Sequence, residues 1–357
     1  MTLRAAEGGI ARGRSGVLGA ALGIDDRIFV APAERRMVRA IEAGLEQVEE
    51  GLAAELRFGD QLADTTARYL FEAGGKRVRP ALTLLTAQLG DGVNPAVIRS
   101  AQAVELTHLA SLYHDDVMDE ADLRRGVQTA HRAWGNSVAI LTGDLLFARA
   151  SAIISSLGGR ALELQARTFE RLVLGQLHET VGPTAGEDPV DHYLSVLADK
   201  TGSLITLAGL VGLIFSEAPE PYYPAISEFG ERIGVAFQLI DDVIDITDAA
   251  QTTGKAPGTD LRADVPTLPM LLLRRAAATD ADARALVERI EATAAGEDDA
   301  AFLSAVAALR AHEVSAATIA EARRWAAEAV AALAPLPGGP VKRALAEFAE
   351  RVVEREA

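Results

Sequence analysis

Residues 111–126 read SLYHDDVMDEADLRRG and residues 237–248 read FQLIDDVIDITD; what these two stretches mean decides the rest of the chain. Each carries two adjacent aspartates and a third three residues on: Asp115, Asp116 and Asp119, then Asp241, Asp242 and Asp245. On a helix, positions four apart share a face one turn apart, so Asp115 pairs with Asp119 and Asp241 with Asp245. Stepping back by threes and fours from Asp115 gives Ser111, His108, Val104 and Ala101; from Asp241 it gives Gln238, Gly234 and Gly230 or Ser227. Both stripes are small or apolar below and acidic at the tip. A solvated helix end would explain one such tip. Two of them, each closing an apolar stripe, need a partner, because desolvated carboxylates are costly and like charges side by side demand a cation. The chain has no cysteine and few histidines, and an all-carboxylate donor set suits magnesium. That ion takes one or two protein carboxylates and completes its octahedron with water and phosphate oxygens.

Outward from these stretches, apolar residues recur three and four apart and seldom alternate, which predicts an all-α chain. Helices are expected at about 35–71 with a break near Gly59, from Pro80, at 96–120, 137–157, 161–180, 190–215 and 224–248, and amphipathically beyond a Gly/Pro loop at 252–266. No polar linker divides the 357 residues, so residues 31–357 are expected to form one helical domain behind a flexible leader, residues 1–30. No run approaches the ~20 apolar residues of a membrane span, and a soluble, cytoplasmic protein is expected.

The charge, 35 basic against 51 acidic residues for a net −16, disfavours nucleic acid as a partner. An anionic substrate would also be repelled unless metal ions intervene. Yet basic residues cluster beside the acidic stretches. Lys76, Arg77 and Arg79 lie in GGKRVRP (74–80), and Arg124 and Arg125 follow the first aspartate cluster. Guanidinium groups grip phosphate bidentately, and a helix start favours anions. Surface solvation is the bland reading of such runs. Lys200 lies on an apolar stripe, where it either snorkels outward or reaches into the same site. Lys255 sits in the Gly/Pro loop, where it could close over the site.

GGKRVRP, ELTHLASLYHDDVMDEADLRRG, KTGSL, AFQLIDDVIDITD and TGKAPGTDL, in this order over residues 74–260, resemble the trans-isoprenyl diphosphate synthase (polyprenyl synthetase) family. The resemblance implies the isoprenoid synthase fold, a helical bundle around a deep central cavity, and a homodimer. Its substrates would be isopentenyl diphosphate and an allylic prenyl diphosphate, with Mg2+ as cofactor, three ions once substrate is bound. Matched by position, Asp115, Asp119 and Asp241 are the metal ligands, and Asp116, Lys200 and Asp242 join them in the catalytic set. Arg124, Lys200, Thr201, Gln238 and Lys255 would hold the allylic diphosphate; Lys76, Arg79, His108 and Arg125 would hold isopentenyl diphosphate. For His108, periodicity alone favours an ordinary core histidine. Gln128 departs from the family pattern, which commonly has proline there.

The implied chemistry is ionisation of the allylic diphosphate, attack by the double bond of isopentenyl diphosphate, and loss of a proton to the released diphosphate. Ala110 and Ser111, one turn below Asp115, are small where short-chain members carry aromatic residues. That implies a medium or long product, about seven to ten isoprene units by analogy. Tyr113, Phe147 and Ile153 are other candidates to narrow or floor the tunnel. The alternatives are a short-chain synthase, a terpene cyclase, which needs no isopentenyl site, and a partner subunit of a heteromeric synthase.

Overall fold

The computed structural model describes residues 17–23, 31–247, 257–296 and 298–355, and they are almost wholly helical. Two helices form the centre because they are buried nearly all round, as such apolar segments must be. They are α5 (Pro95–Met118) and α10 (Ser203–Phe215). Asn94 starts α5 by accepting hydrogen bonds from the Ala96 and Val97 N–H groups at 2.9 and 3.0 Å, with Pro95 in the first turn.

Around this pair stand α2 (Pro32–Glu55), α3 (Gln61–Glu72), α4 (Val78–Thr86), α7 (Asn136–Leu157), α8 (Gly159–Val181) and α11 (Tyr222–Asp245). Helix α11 is covered in turn by α16 (Glu313–Ala332) and α17 (Pro340–Glu354). A separate apolar cluster joins α13 (Leu268–Ala276), α14 (Ala281–Ala294) and α15 (Asp299–Ala311) around Phe302 and Leu309.

Several expectations are corrected in detail. Helix α4 begins at Val78, two residues before Pro80; proline is tolerated there because its missing N–H is one of the first four, which have no intrahelical partner. The polar connection after α5 holds a two-strand hairpin, β1 (Leu123–Arg124) and β2 (Val127–Gln128), and a short helix, α6 (Ala130–Trp134). Arg125 and Gly126 at its tip have φ of 53° and 78°, the signature of the two-residue turns that match strand twist. Of the expected 252–266 loop, Thr259–Arg262 is a helical turn, α12.

Part of the expected leader is a helix, α1 (Val17–Leu22), which buries Ala21 and Leu22 against the core; the rest of 1–30 lies outside the described residues apart from Gly23. Two helices, Asn136–Leu157 and Pro189–Phe215, reach the length and hydropathy of a membrane span by composition alone. The second, which includes α9 (Pro189–Leu197), is 72% buried inside the fold over its most apolar window, the first only 39%.

Candidate active site

The acidic tips of α5 and α11 are built alike. In each cluster the middle aspartate turns inward. Asp116 is fully buried and accepts a hydrogen bond from Arg124 Nε at 2.7 Å. Asp242, 2% exposed, accepts one from the Tyr193 hydroxyl at 2.6 Å and another from the Leu268 N–H at 3.4 Å. Burial raises the Asp242 carboxyl well above its ordinary range. Sequence grouped both residues with the catalytic set; here both carboxylates are buried and hydrogen-bonded to protein groups. The last aspartate of the second cluster is also engaged: Asp245 Oδ2 accepts from the Asp260 N–H at 3.1 Å, at the first turn of α12.

The outer aspartates meet the rest of the site. Burial pushes the Asp115 carboxyl up to about 6; Lys200 opposes the shift, while Asp119 adds to it. Lys200 pairs with Glu179 of α8. Burial disfavours its charge, but Glu179 and Asp115 outweigh that and raise its pKa. Lys200 is aimed this way because Ala198–Gly202 is a single π-helical turn between α9 and α10, a device that recurs at functional sites. Thr201 lies in the same turn, and Gln238 one turn before Asp242 on α11.

The two tips share neighbours. The field of Glu179 reaches both Asp115 and Tyr193, and Tyr193 holds Asp242. The π turn also presses on α11: a Cβ at Gly234 would lie 2.5 Å from Gly202 Cα. Gly234→Ala is therefore expected to cost about 1–3 kcal/mol and to lower kcat, because backbone must move to admit it and Lys200 moves with it. Unchanged melting and kcat would show that this crossing does not set the site.

The basic residues gather beside His108. Arg79 is half-buried with Nε sealed and unpartnered, and burial lowers its pKa, opposed by Glu105. Arg125 donates from Nη1 to the Leu70 and Gly74 carbonyls at the end of α3. Burial first, then Arg79, Arg125, Arg124 and Arg77, hold the His108 imidazole well below its ordinary pKa, so it is neutral at pH 7. Lys76 is lowered by burial and by Arg355, against Asp241. So many cations around one neutral imidazole, with Glu105 the buried counter-charge, form a place for an anion. Lys255 lies outside the described residues.

Five residues escaped the sequence reading: Glu105, Glu179, Tyr193, His131 and Arg355. Glu105 could have been found, since it sits one turn below His108 on an otherwise apolar face and is 2% exposed, 3.3 Å from Arg77. Arg355, which pairs with Asp241 at 3.1 Å and lies over Phe237, gives no local signal. Among the described residues, no three acidic or histidine side chains converge on one point as a protein-only metal cage would. The all-oxygen donors and the strained Asp115 still fit magnesium, which draws most of its shell from water and substrate oxygens.

On the chain-length question, Ser111 lies on the Asp115 face, with its hydroxyl bonded back to the His108 carbonyl at 2.9 Å. Ala110 is fully buried, and its backbone carbonyl would stand 3.2 Å from a Cβ at Gly143 of α7. Tyr113 is committed to α3, donating to the Thr66 carbonyl and accepting from the Leu70 N–H. Phe147 stacks between His114 and Phe169.

The polyprenyl synthetase family profile matches residues 60–307. The chain is 42% identical over 339 residues to nonaprenyl diphosphate synthase of Mycobacterium tuberculosis, covering 94% of this chain and 97% of that protein. Two solved structures share its fold. Polyprenyl synthase from Caulobacter crescentus, complexed with calcium and isoprenyl diphosphate, superposes with a TM-score of 0.82 at 32% identity, covering 90% of this chain and 98% of that one. Geranylgeranyl pyrophosphate synthase from Corynebacterium glutamicum, also with calcium and isoprenyl diphosphate, gives 0.78 at 40% identity, covering 92% and 98%. The fold is the all-α isoprenoid synthase fold, and the chain belongs to the polyprenyl synthetase family of prenyltransferases.

Proposed function

We propose that the protein is a medium- to long-chain trans-polyprenyl diphosphate synthase that condenses isopentenyl diphosphate head-to-tail onto an allylic diphosphate. What supports this most is the pairing of an acidic zone at Asp115, Asp119 and Asp241 with a basic zone at Lys76, Arg79, His108 and Arg125. One anion needs metal ions to bind; the other is met by guanidinium groups directly.

Asp115, Asp119 and Asp241 would hold Mg2+, which when bound neutralises the departing diphosphate. Arg124, Lys200, Thr201, Gln238 and Lys255 orient that allylic diphosphate. Arg79, Arg125, Lys76 and neutral His108 hold isopentenyl diphosphate with its double bond near the allylic carbon. Fixing the two reactants in this geometry supplies much of the acceleration. The proton passes to released diphosphate, so no side-chain base is required.

Incubation with Mg2+, a short allylic diphosphate and labelled isopentenyl diphosphate, followed by sizing of the product, tests the reading. A product of about seven to ten isoprene units is expected. A product that stops at four units would favour a short-chain synthase, the reading that the Corynebacterium glutamicum relative supports. No incorporation, or a cyclic hydrocarbon from the allylic substrate alone, would overturn synthesis itself.

The protein is proposed to be cytoplasmic and to act as a homodimer. Ile140, Leu141 and Leu145 on α7 and Phe169, Val173, Leu174, Leu177 and Val181 on α8 are all exposed, Leu141 by 61% and Val181 by 72%. An apolar face of this extent marks an interaction site, and a second copy would cover it with the same face. Leu141→Glu combined with Leu177→Glu is expected to give monomers by light scattering after size exclusion. A dimer that persists in that variant would place the interface elsewhere.

A further inference from the structure

Buried polar groups are rarely left without a hydrogen-bond partner, and each exception calls for a cause. Two exceptions sit together beneath the first aspartate cluster. Asp116 is fully buried, and while its Oδ1 accepts from Arg124, its Oδ2 has no partner. His131, on α6, is 8% exposed, and neither ring nitrogen has a partner. The chain brings the two together. The Asp116 carbonyl accepts from the Ala121 N–H at 3.1 Å. Thr129 closes the hairpin by bonding to the Asp122 carbonyl at 3.0 Å and, through Oγ1, to the Ala121 carbonyl at 2.6 Å. Helix α6 then packs on α5, and the charge of His131 acts on the Asp116 carboxyl.

A histidine that merely filled space would leave two ring nitrogens stranded near a stranded carboxylate oxygen, each carrying its desolvation penalty. One shared water would join Asp116 Oδ2 to one of the ring nitrogens, since a buried water needs two or more polar partners. Asp116 uses only Nε of Arg124, so the two Nη groups remain to grip phosphate oxygens.

We infer that His131 is a positioning residue: through a water-mediated hydrogen bond to Asp116 Oδ2 it fixes that carboxylate, which in turn holds the Arg124 guanidinium toward the allylic diphosphate. This rests on the reading of Arg124 as a ligand of that diphosphate.

His131→Phe keeps the ring and deletes both nitrogens; His131→Gln restores a polar atom of similar reach. In steady-state kinetics with Mg2+ and each substrate varied in turn, His131→Phe is expected to raise KM for the allylic diphosphate about 10-fold or more. KM for isopentenyl diphosphate should stay unchanged, and His131→Gln should recover most of the loss. In an Arg124→Ala background, His131→Phe should add nothing, because residues acting through one another are not additive. His131→Asn, polar but too short to span the gap, carries the same expectation should the phenylalanine variant not fold. An allylic KM that does not move, both KM values rising together, or full additivity with Arg124→Ala would each overturn the inference. A wild-type protein that transfers no prenyl group would instead end the functional reading, so the two failures are distinguishable.

Discussion

Asp115→Ala is expected to lower turnover by at least about 10²–10³-fold while leaving the helical content and the melting temperature intact. Asp115 is held at a cost when no cation is present: burial pushes its pKa up to about 6, and Asp119 adds repulsion that Lys200 only partly offsets. A residue in that position contributes little to folding, because its ionised form is held at a cost. Removing it leaves Lys200 its partner Glu179, so no new buried charge is stranded.

The inward aspartates should behave differently. Asp242→Ala would leave the buried Tyr193 hydroxyl without its acceptor, and a buried group deprived of its partner carries its full desolvation penalty. The diagnostic pattern is thus a cold, folded Asp115 variant beside a destabilised Asp242 variant. Circular dichroism, thermal melting and labelled-substrate turnover measure all three quantities, and wild-type-like turnover in Asp115→Ala would remove that residue from the mechanism.

This contrast marks where sequence reading reached and where it stopped. Helical periodicity placed α5, α7, α8 and α11 to within a few residues, because each is long and carries a clear apolar stripe. It also put Asp115, Ser111 and His108 on one face, as observed. What periodicity cannot do is orient adjacent residues that belong to one motif. Asp115 and Asp116 are about 100° apart on a helix, and which of them meets substrate depends on Arg124, brought back by a hairpin whose Arg125–Gly126 tip looked like loop. The π turn was hidden for the same reason: Leu197, Lys200 and Leu204 read as an unbroken α stripe, and the extra residue per turn leaves no mark in composition. Arg355 is more than 100 residues from its partner Asp241, and only the packing of α17 on α11 unites them.

Ser111→Phe is expected to shorten the product by several isoprene units, whereas Ala110→Phe should mainly destabilise the protein. The two residues are neighbours on α5, their side chains about 100° apart around the helix axis. Ser111 stands one turn, about 5.4 Å, below Asp115 on the same face, near the length of one isoprene unit, and its short side chain is tied back to its own helix. A benzyl group there would stand in the path of a tail growing down from the acidic tip. Ala110 is fully buried where α5 crosses α7, so a ring at that position has no open volume to enter. It must force the helices apart at a cost of about 1–3 kcal/mol or more. Product sizing by reversed-phase chromatography, set beside a thermal melt of each variant, separates blockage from overpacking. Should Ser111→Phe keep the wild-type product length with its fold intact, the tail does not run along this face of α5. Ile153, buried on α7, would then be the next position to enlarge.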